Sequence, residues 1–106
     1  MNAALKAISL PRRRQILSLV RSRELSAGEI AGYFDVTRPA VSQHLTVLKQ
    51  AGLVSERRDG TRRLYRARPQ ALAELKQFLE QFWDEKLAVL KHEAEKKERR
   101  KHGSRH

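Results

Sequence analysis

The stretch TRPAVSQHLTVLKQAGLV, from Thr37 to Val54, decides the fold of this chain. Thr37 is a favourable N-cap residue, and Pro39 falls within the first turn of a helix, where a proline needs no amide partner. The apolar residues that follow are three or four apart: Val41, Leu45 and Leu48. Gly52 supplies the left-handed conformation that ends many helices. The stretch therefore predicts a helix from Thr37 to Ala51 with one buried side.

A second helix precedes this one at close range. Ser26 and Glu29 have the spacing of a capping box, in which each side chain bonds the backbone amide of the other residue. A short helix to Phe34 follows, with Ile30 and Phe34 on its buried face. Two helices joined by such a short turn make a helix-turn-helix.

Two further helices are predicted nearer the N-terminus. Residues 2–8 are good helix formers but too few to be stable alone, so this helix should pack on another element. The next helix begins near Pro11 and runs to about Arg21. Its first turn carries Arg12, Arg13 and Arg14, against the helix-dipole preference. Two interpretations stay open, that these arginines bind an external anion and that they are simply solvated.

Downstream of the helix-turn-helix, residues 53–58 and 61–67 read as two strands around Asp59-Gly60, a dipeptide suited to a type I′ hairpin turn. With that loop, three cross-strand pairs are predicted: Arg58 with Thr61, Arg57 with Arg62, and Glu56 with Arg63. Only the last is electrostatically favourable. We therefore expect crowded arginines that repel one another until an anion arrives.

A long amphipathic helix is predicted from Pro69, with apolar residues three or four apart as far as Ala94. A domain this small cannot cover so long a stripe with its own short helices, so part of it should pack against a second subunit. The alternative is that the helix folds back over its own domain. We expect one domain over residues 1–95 and a basic, disordered tail over residues 96–106.

Composition points to a polyanion as partner. Lysine and arginine outnumber aspartate and glutamate by 23 to 12, and the formal net charge is +11. The chain has no cysteine, which excludes disulfides and thiolate metal sites. It shows no signal peptide, and no apolar run approaches the roughly 18 residues of a membrane span. We therefore expect a cytoplasmic protein with no membrane partner.

The order of elements and four motifs resemble the ArsR-type family of winged helix-turn-helix repressors, over about residues 3–95. The motifs are PRRRQIL (Pro11 to Leu17), LSAGEIA (Leu25 to Ala31), the opening stretch, and RRDGTRRLYR (Arg57 to Arg66). The resemblance implies a mainly α fold of about five helices with a small β-hairpin wing and a long C-terminal dimerisation helix. It also implies a homodimer that represses transcription from a palindromic double-stranded DNA operator until an inducer binds.

Within this family the first and last helices form the dimer interface. The predicted interface residues are Leu5, Ile8, Leu72, Leu75, Leu79, Phe82, Trp83, Leu87 and Leu90. Phe82 and Trp83 resemble the Phe-Trp-Asp segment of the metal-independent branch, whose last helix serves mainly to dimerise.

The chain departs from the family in four places. Asp35 stands where glycine is usual in the helix-turn-helix turn, so some left-handed strain is expected. Leu10 replaces a common Asp N-cap. Metal-sensing members use a Cys-x-Cys pair or an Asp-x-His with a later histidine motif; here the sites read Leu25 to Gly28 and Asp84-Glu85-Lys86. We therefore predict no metal and no cofactor, with His92, His102 and His106 solvated.

The predicted DNA contacts divide into two sets. The recognition helix of the helix-turn-helix is the one predicted from Thr37 to Ala51. Residues on the side away from its buried apolar row are the base-reading candidates: Arg38, Pro39, Ser42, Gln43 and Thr46. The predicted phosphate and wing contacts are Arg12, Arg13, Arg14, Thr37, Lys49, Arg57, Arg58, Arg62, Arg63 and Tyr65. His44 lies toward the core side, where a structural role is expected.

Other classes of function fit the residues less well. An RNA-binding or architectural protein would use the same charge, but RNA recognition favours exposed aromatic residues, and three of the six here sit in the last helix. An enzyme would need an acid-base pair, a phosphate-binding glycine loop or a metal site, and none is visible. Release by a small organic inducer and autorepression without a ligand both stay open.

Overall fold

A computed structural model describes residues 1–104, with side chains as far as residue 96. In chain order the described elements are α1 (Asn2–Ala7), α2 (Pro11–Val20), β1 (Leu25–Ser26), α3 (Ala27–Tyr33), α4 (Arg38–Gln50), β2 (Val54–Asp59), β3 (Arg62–Ala67) and α5 (Pro69–Ser104). The predicted fold class, mainly helical with a hairpin wing and a long last helix, is confirmed. The chain forms two compact units, Met1–Leu75 and Lys76–His106.

The helix-turn-helix of the first unit consists of α3 and α4, and both begin at the predicted caps. Ser26 Oγ accepts from the Glu29 amide at 3.2 Å, while Glu29 Oε1 accepts from the Ser26 amide at 3.1 Å, which completes the capping box. Thr37 Oγ1 accepts from the Ala40 amide at 3.3 Å. Local sequence therefore sets where both helices start.

The end of α4 is a Schellman motif. Gly52 has φ +78°, its amide donates to the Lys49 carbonyl, and the Leu53 amide donates to the Leu48 carbonyl at 2.9 Å. Arg68 Nη1 donates to the Gly52 carbonyl at 3.1 Å, so the start of the hairpin and its end are tied to the same turn.

The wing, by which we mean β2, β3 and the turn between them, differs in register from the prediction. Asp59 pairs with Arg62, so the two-residue loop is Gly60-Thr61 and not Asp59-Gly60. Gly60 has φ +65° and Thr61 has no positive φ, which is the type II′ pattern with glycine at its first central position. The predicted type I′ turn is wrong, because that turn needs positive φ at both central residues.

The one-residue shift also replaces the predicted cross-strand pairs. Arg58 lies opposite Arg63, and Arg57 lies opposite Leu64. A third strand, β1, extends the sheet to the order β1-β3-β2, with Leu25 opposite Tyr65. No sequence pattern predicts β1, because a two-residue strand carries no periodicity of its own and exists only where β3 pairs with it.

The core of the first unit collects apolar residues from every element. The buried residues are Ala4, Ala7, Ile16, Leu17, Val20, Leu25, Ala27, Ile30, Val41, Leu45, Leu48, Leu53, Val54, Leu64, Ala67 and Leu75. Across the described residues no polar or charged side chain is buried. The predicted row Val41, Leu45 and Leu48 is fully inside, which fixes the opposite face of α4 toward solvent.

Two expectations for the first unit need correction. Among the described residues only Gly52 and Gly60 have positive φ, so Asp35 is not left-handed and the expected strain is absent. Phe34 ends up half-buried as the C-cap residue of α3, because the helix stops at Tyr33. The start of α2 agrees with the analysis: Leu10 is its N-cap and makes no side-chain capping bond.

The helix α5 continues to Ser104, past Glu95, where the sequence favoured fraying. Large apolar side chains stay exposed along the part of α5 that belongs to the second unit, among them Phe82, Trp83, Leu87 and Leu90. Side chains are described only as far as residue 96, so the predictions for His102 and His106 fall outside the described part.

Candidate nucleic-acid interface

The outward face of α4 carries the base-reading candidates in two rows. Arg38, Ser42 and Thr46 are spaced four apart and line a cleft beside the wing. Pro39 and Gln43 form the second row, and both are exposed and outside the cleft. Gln43 makes no side-chain hydrogen bond among the described residues, so its amide is available to an external partner.

Thr46 is less available than the sequence suggests. Its hydroxyl donates to the Ser42 carbonyl one turn earlier, at 2.9 Å. Back-bonding of this kind is common for threonine within helices. Because the single hydroxyl hydrogen is used, Thr46 can offer an outside group only its acceptor lone pairs.

The cleft between α4 and the wing measures about 630 Å³. Its lining residues are Ser26, Ala27, Gly28, Arg38, Ser42, Thr46, Thr61, Arg62, Arg63 and Tyr65. Three of them are arginines, the rest are neutral, and five carry hydroxyl groups. A cleft with this lining is suited to an extended anion that accepts hydrogen bonds.

Three arginines of the wing are paired with glutamates, which corrects part of the expected picture of mutually repelling arginines. Arg57 donates two bonds to Glu24, at 2.9 and 3.1 Å. Lys49 of α4 donates to Glu56 at 2.8 Å, and Arg63 approaches the other oxygen of Glu56 at 3.5 Å. The predicted proximity of Glu56 and Arg63 thus survives the register shift, as a diagonal pair.

Arg62 pairs with Glu29, the residue that also completes the capping box of α3. The capping role of Glu29 is predicted from the sequence, but its pair with Arg62 and the role of Glu24 are not. Both ion pairs join residues 33 positions apart. No local sequence pattern predicts such a pair, because it forms only when β1 pairs with β3 and brings Glu24 and Glu29, which lie on either side of β1, close to the wing.

These contacts shift the pKa values of the glutamates. The hydrogen bond from Arg57 lowers the pKa of Glu24, and that from Lys49 lowers the pKa of Glu56. For Glu29 the bond from the Ser26 backbone is the largest cause of a lowered pKa, ahead of Arg62. All three carboxyls are therefore charged at neutral pH.

The three arginines of α2 also have partners within the chain. The guanidinium of Arg12 lies 4.7 Å from the ring centroid of Phe34. Arg14 Nη1 donates to the Ile8 carbonyl at 2.7 Å, and Arg13 Nη1 donates to the Lys6 carbonyl at 3.4 Å, both at the end of α1. A phosphate reaching these arginines would share or displace such contacts.

His44 connects α4 to α2. Its Nδ1 accepts from Arg13 Nε at 3.2 Å, and its side chain is half-buried. Burial lowers the pKa of His44, and the neighbouring charges of Arg13 and Arg12 lower it further. The imidazole is therefore neutral at pH 7, the state in which Nδ1 can accept a hydrogen bond.

The predicted dimer residues differ in exposure. Leu5, Ile8, Leu72 and Leu79 are half-buried, whereas Leu75 is buried within the first unit. Phe82, Trp83, Leu87 and Leu90 are each 43–56% exposed, and the structure adds Phe78 and Val89 to this exposed apolar set.

Within the described residues, no group of three or more histidine, cysteine, aspartate or glutamate side chains is placed to hold a metal ion. The helices described here also include none long and apolar enough to cross a membrane.

Comparison with known proteins gives a consistent family. Residues 11–56 match the model of the bacterial regulatory protein, arsR family. The transcriptional repressor SdpR of Bacillus subtilis is 47% identical over 60 residues, which cover 57% of this chain and 67% of SdpR. The regulator Rv2034 of Mycobacterium tuberculosis is 46% identical over 80 residues, which cover 76% of this chain and 75% of Rv2034.

A solved structure agrees with the fold. The homodimeric winged helix-turn-helix DNA-binding domain of a Mycobacterium bovis protein, solved by NMR, superposes with a TM-score of 0.66 at 34% identity. The match covers 79% of this chain and 78% of that domain. These relatives are named as regulators and DNA-binding proteins, and none of them as an enzyme.

Proposed function

Since this chain belongs to the arsR family of bacterial transcriptional regulators, we propose that it represses transcription by binding a palindromic DNA operator as a homodimer. One observation carries the proposal: the outward face of α4 and two arginines of the wing, Arg62 and Arg63, border a single cationic cleft. A duplex lying against this surface meets base-reading side chains on a helix that fits the major groove and, beside it, cations for its phosphates.

In this proposal the two rows of α4 have different tasks. Gln43 can pair bidentately with adenine N6 and N7, and Arg38 with guanine O6 and N7. Ser42 serves bases or phosphates from the edge of the cleft. Thr46, whose hydroxyl hydrogen is used within α4, accepts from base amino groups, and Pro39 makes apolar contact. The amides at the Thr37 cap and the proposed phosphate contacts of α2, Lys49, Tyr65 and the wing arginines position the duplex.

A homodimer is supported by the exposed apolar side chains of α5 and by the homodimeric Mycobacterium bovis relative. The adjacent pair Phe82 and Trp83 is followed by Leu87 and Leu90 at separations of four and three, and such a stripe is costly to leave in water. Two-fold symmetry would present two copies of α4 to successive major grooves, which is why the operator should be palindromic.

Regulation in this proposal does not pass through the metal sites used elsewhere in the family. The chain has no cysteine, and Lys86 stands where the second site needs an imidazole. Release by an organic inducer and autorepression without one remain the two candidate modes. With DNA as the partner, the place of action is the bacterial cytoplasm.

The test is selection of bound fragments from the source genome, followed by binding measurements on the enriched duplex and a scrambled version. We expect a palindromic site in a promoter, bound at least about 10³-fold more tightly than the scramble. Scrambling that costs only a few-fold in affinity would contradict the proposal and would favour an architectural DNA-binding protein.

A further inference from the structure

Arg62 at the tip of the wing pairs with a carboxylate that already has another task. Asp59 lies directly opposite Arg62 in the hairpin register, yet the ion-pair partner of Arg62 is Glu29 in the first turn of α3. The oxygen that receives Arg62, Oε1, also accepts from the Ser26 amide at 3.1 Å. Glu29 therefore ties the wing to the start of the helix-turn-helix.

This ion pair borders the surface that DNA is proposed to occupy. Arg62 and Ser26 both line the cleft beside α4. The Arg62 and Glu29 side chains are 54% and 44% exposed, so water and ions reach the pair. Glu29 itself does not line the cleft, so a phosphate in the cleft and the Glu29 carboxylate behind it compete for the same guanidinium of Arg62.

We propose that Glu29 is an internal competitor of DNA phosphate for Arg62 and thereby lowers the sequence-independent affinity of this chain for DNA. The inference rests on the proposed function, because it assumes that Arg62 contacts the DNA backbone. When a duplex binds, Arg62 must either leave Glu29 or contact both anions at once. Either outcome reduces the free energy gained from the phosphate contact.

Glu29 stays charged throughout the physiological range, since its bonds to Ser26 and Arg62 hold its pKa below the ordinary value. Protonation therefore does not relieve the competition. Phosphate contacts carry no base information, so the competitor weakens binding to all sequences by the same factor. Discrimination between sequences is left to α4.

The test is Glu29→Gln, measured by fluorescence anisotropy on a labelled generic duplex over a salt series. Glutamine at this position also completes a capping box, so α3 keeps its start while the negative charge is removed. Exposed ion pairs are weak, and we expect the variant to bind about two- to five-fold more tightly at low salt. The gain should shrink as salt rises.

Two further variants separate this effect from a general gain of positive charge. Glu80→Gln makes the same change of charge at a residue that pairs with Lys76 on α5. It should bind the duplex less tightly than Glu29→Gln. Adding Glu29→Gln to Arg62→Ala should change the affinity no more than Glu80→Gln does, because the contested guanidinium is gone.

The proposal is overturned if Glu29→Gln binds no more tightly than Glu80→Gln, if it binds more weakly than wild type, or if its gain persists without Arg62. Thermal unfolding of each variant verifies that α3 is intact. Failure of the wild-type chain to bind any duplex would instead refute the proposed function, so the two failures are distinguishable.

Discussion

The outward face of α4 and the wing border the same cleft, but their side chains are held differently. Gln43 and Ser42 project from a helix fixed by its own caps and by buried leucines, and they have no long-range polar partner. Arg57, Arg62 and Arg63 are each paired with a glutamate. Under the proposed function, Gln43 and Ser42 can meet DNA without losing a polar partner, whereas these three arginines must exchange or share a carboxylate to contact phosphate.

Under the proposed function, this difference assigns sequence specificity and overall DNA affinity to different regions of the molecule. Changes on α4 should alter which sequence is preferred, and changes on the wing should alter how tightly every sequence is held. Substitutions in either region test this separation. We expect their effects to decrease from the exposed face of α4, to the arginines of the wing, to the polar contact that links α4 to α2.

Gln43→Ala should have the largest effect. Loss of a bidentate contact to one base costs about 1–3 kcal/mol of discrimination at that position, with little change on scrambled DNA. Anisotropy with the operator and its scramble measures the difference. Gln50→Ala, which removes the same amide seven residues later on the exposed face, is the control. Equal losses on both duplexes would remove Gln43 from the specificity role.

Within the wing, Arg57 serves as the matched control for Arg58. Arg57 is held by two bonds to Glu24, whereas Arg58 has no acidic partner among the ion pairs of the described residues. We expect Arg58→Ala to weaken binding to a generic duplex more than Arg57→Ala and to reduce the slope of the salt dependence by about one. A larger loss from Arg57→Ala would show that pairing with Glu24 preorganises the arginine instead of competing for it.

The smallest effect is expected at His44. This residue lies on the side of α4 that faces α2, where its Nδ1 accepts a hydrogen bond from Arg13. Its pKa is lowered in the folded chain by burial and by Arg13 and Arg12, against an ordinary value of 6.5. The unfolded chain therefore binds more protons between these two pKa values, and the free energy of unfolding should fall as pH drops through that window.

Chemical unfolding at a series of pH values measures this dependence. His44→Asn keeps a carbonyl acceptor for Arg13 but cannot titrate, so its profile should be flatter than that of wild type near pH 6.5 and below. His92→Asn, on the exposed surface of α5, should leave the profile as it is. Identical profiles for the two variants would exclude His44 as the source.

The wing shows where sequence reasoning fails by a single residue. A glycine with positive φ was expected and found, but Asp59-Gly60 and Gly60-Thr61 are both acceptable loops when judged locally. The choice falls to the rest of the sheet, since the observed register buries Leu64 and Ala67 together with Val54. A slip of one residue would turn these side chains to the opposite face.

Sequence alone determined the caps of α3 and α4, the buried row of α4, the glycine that ends it and the outward position of Gln43. These features depend on residues within one or two turns of each other, where spacing translates directly into geometry. Three features follow only from how the chain packs: the strand β1, the register of the wing, and the pairing of Arg57 and Arg62 with Glu24 and Glu29. Those contacts join residues 33 positions apart, and their geometry exists only once the sheet and helices have packed.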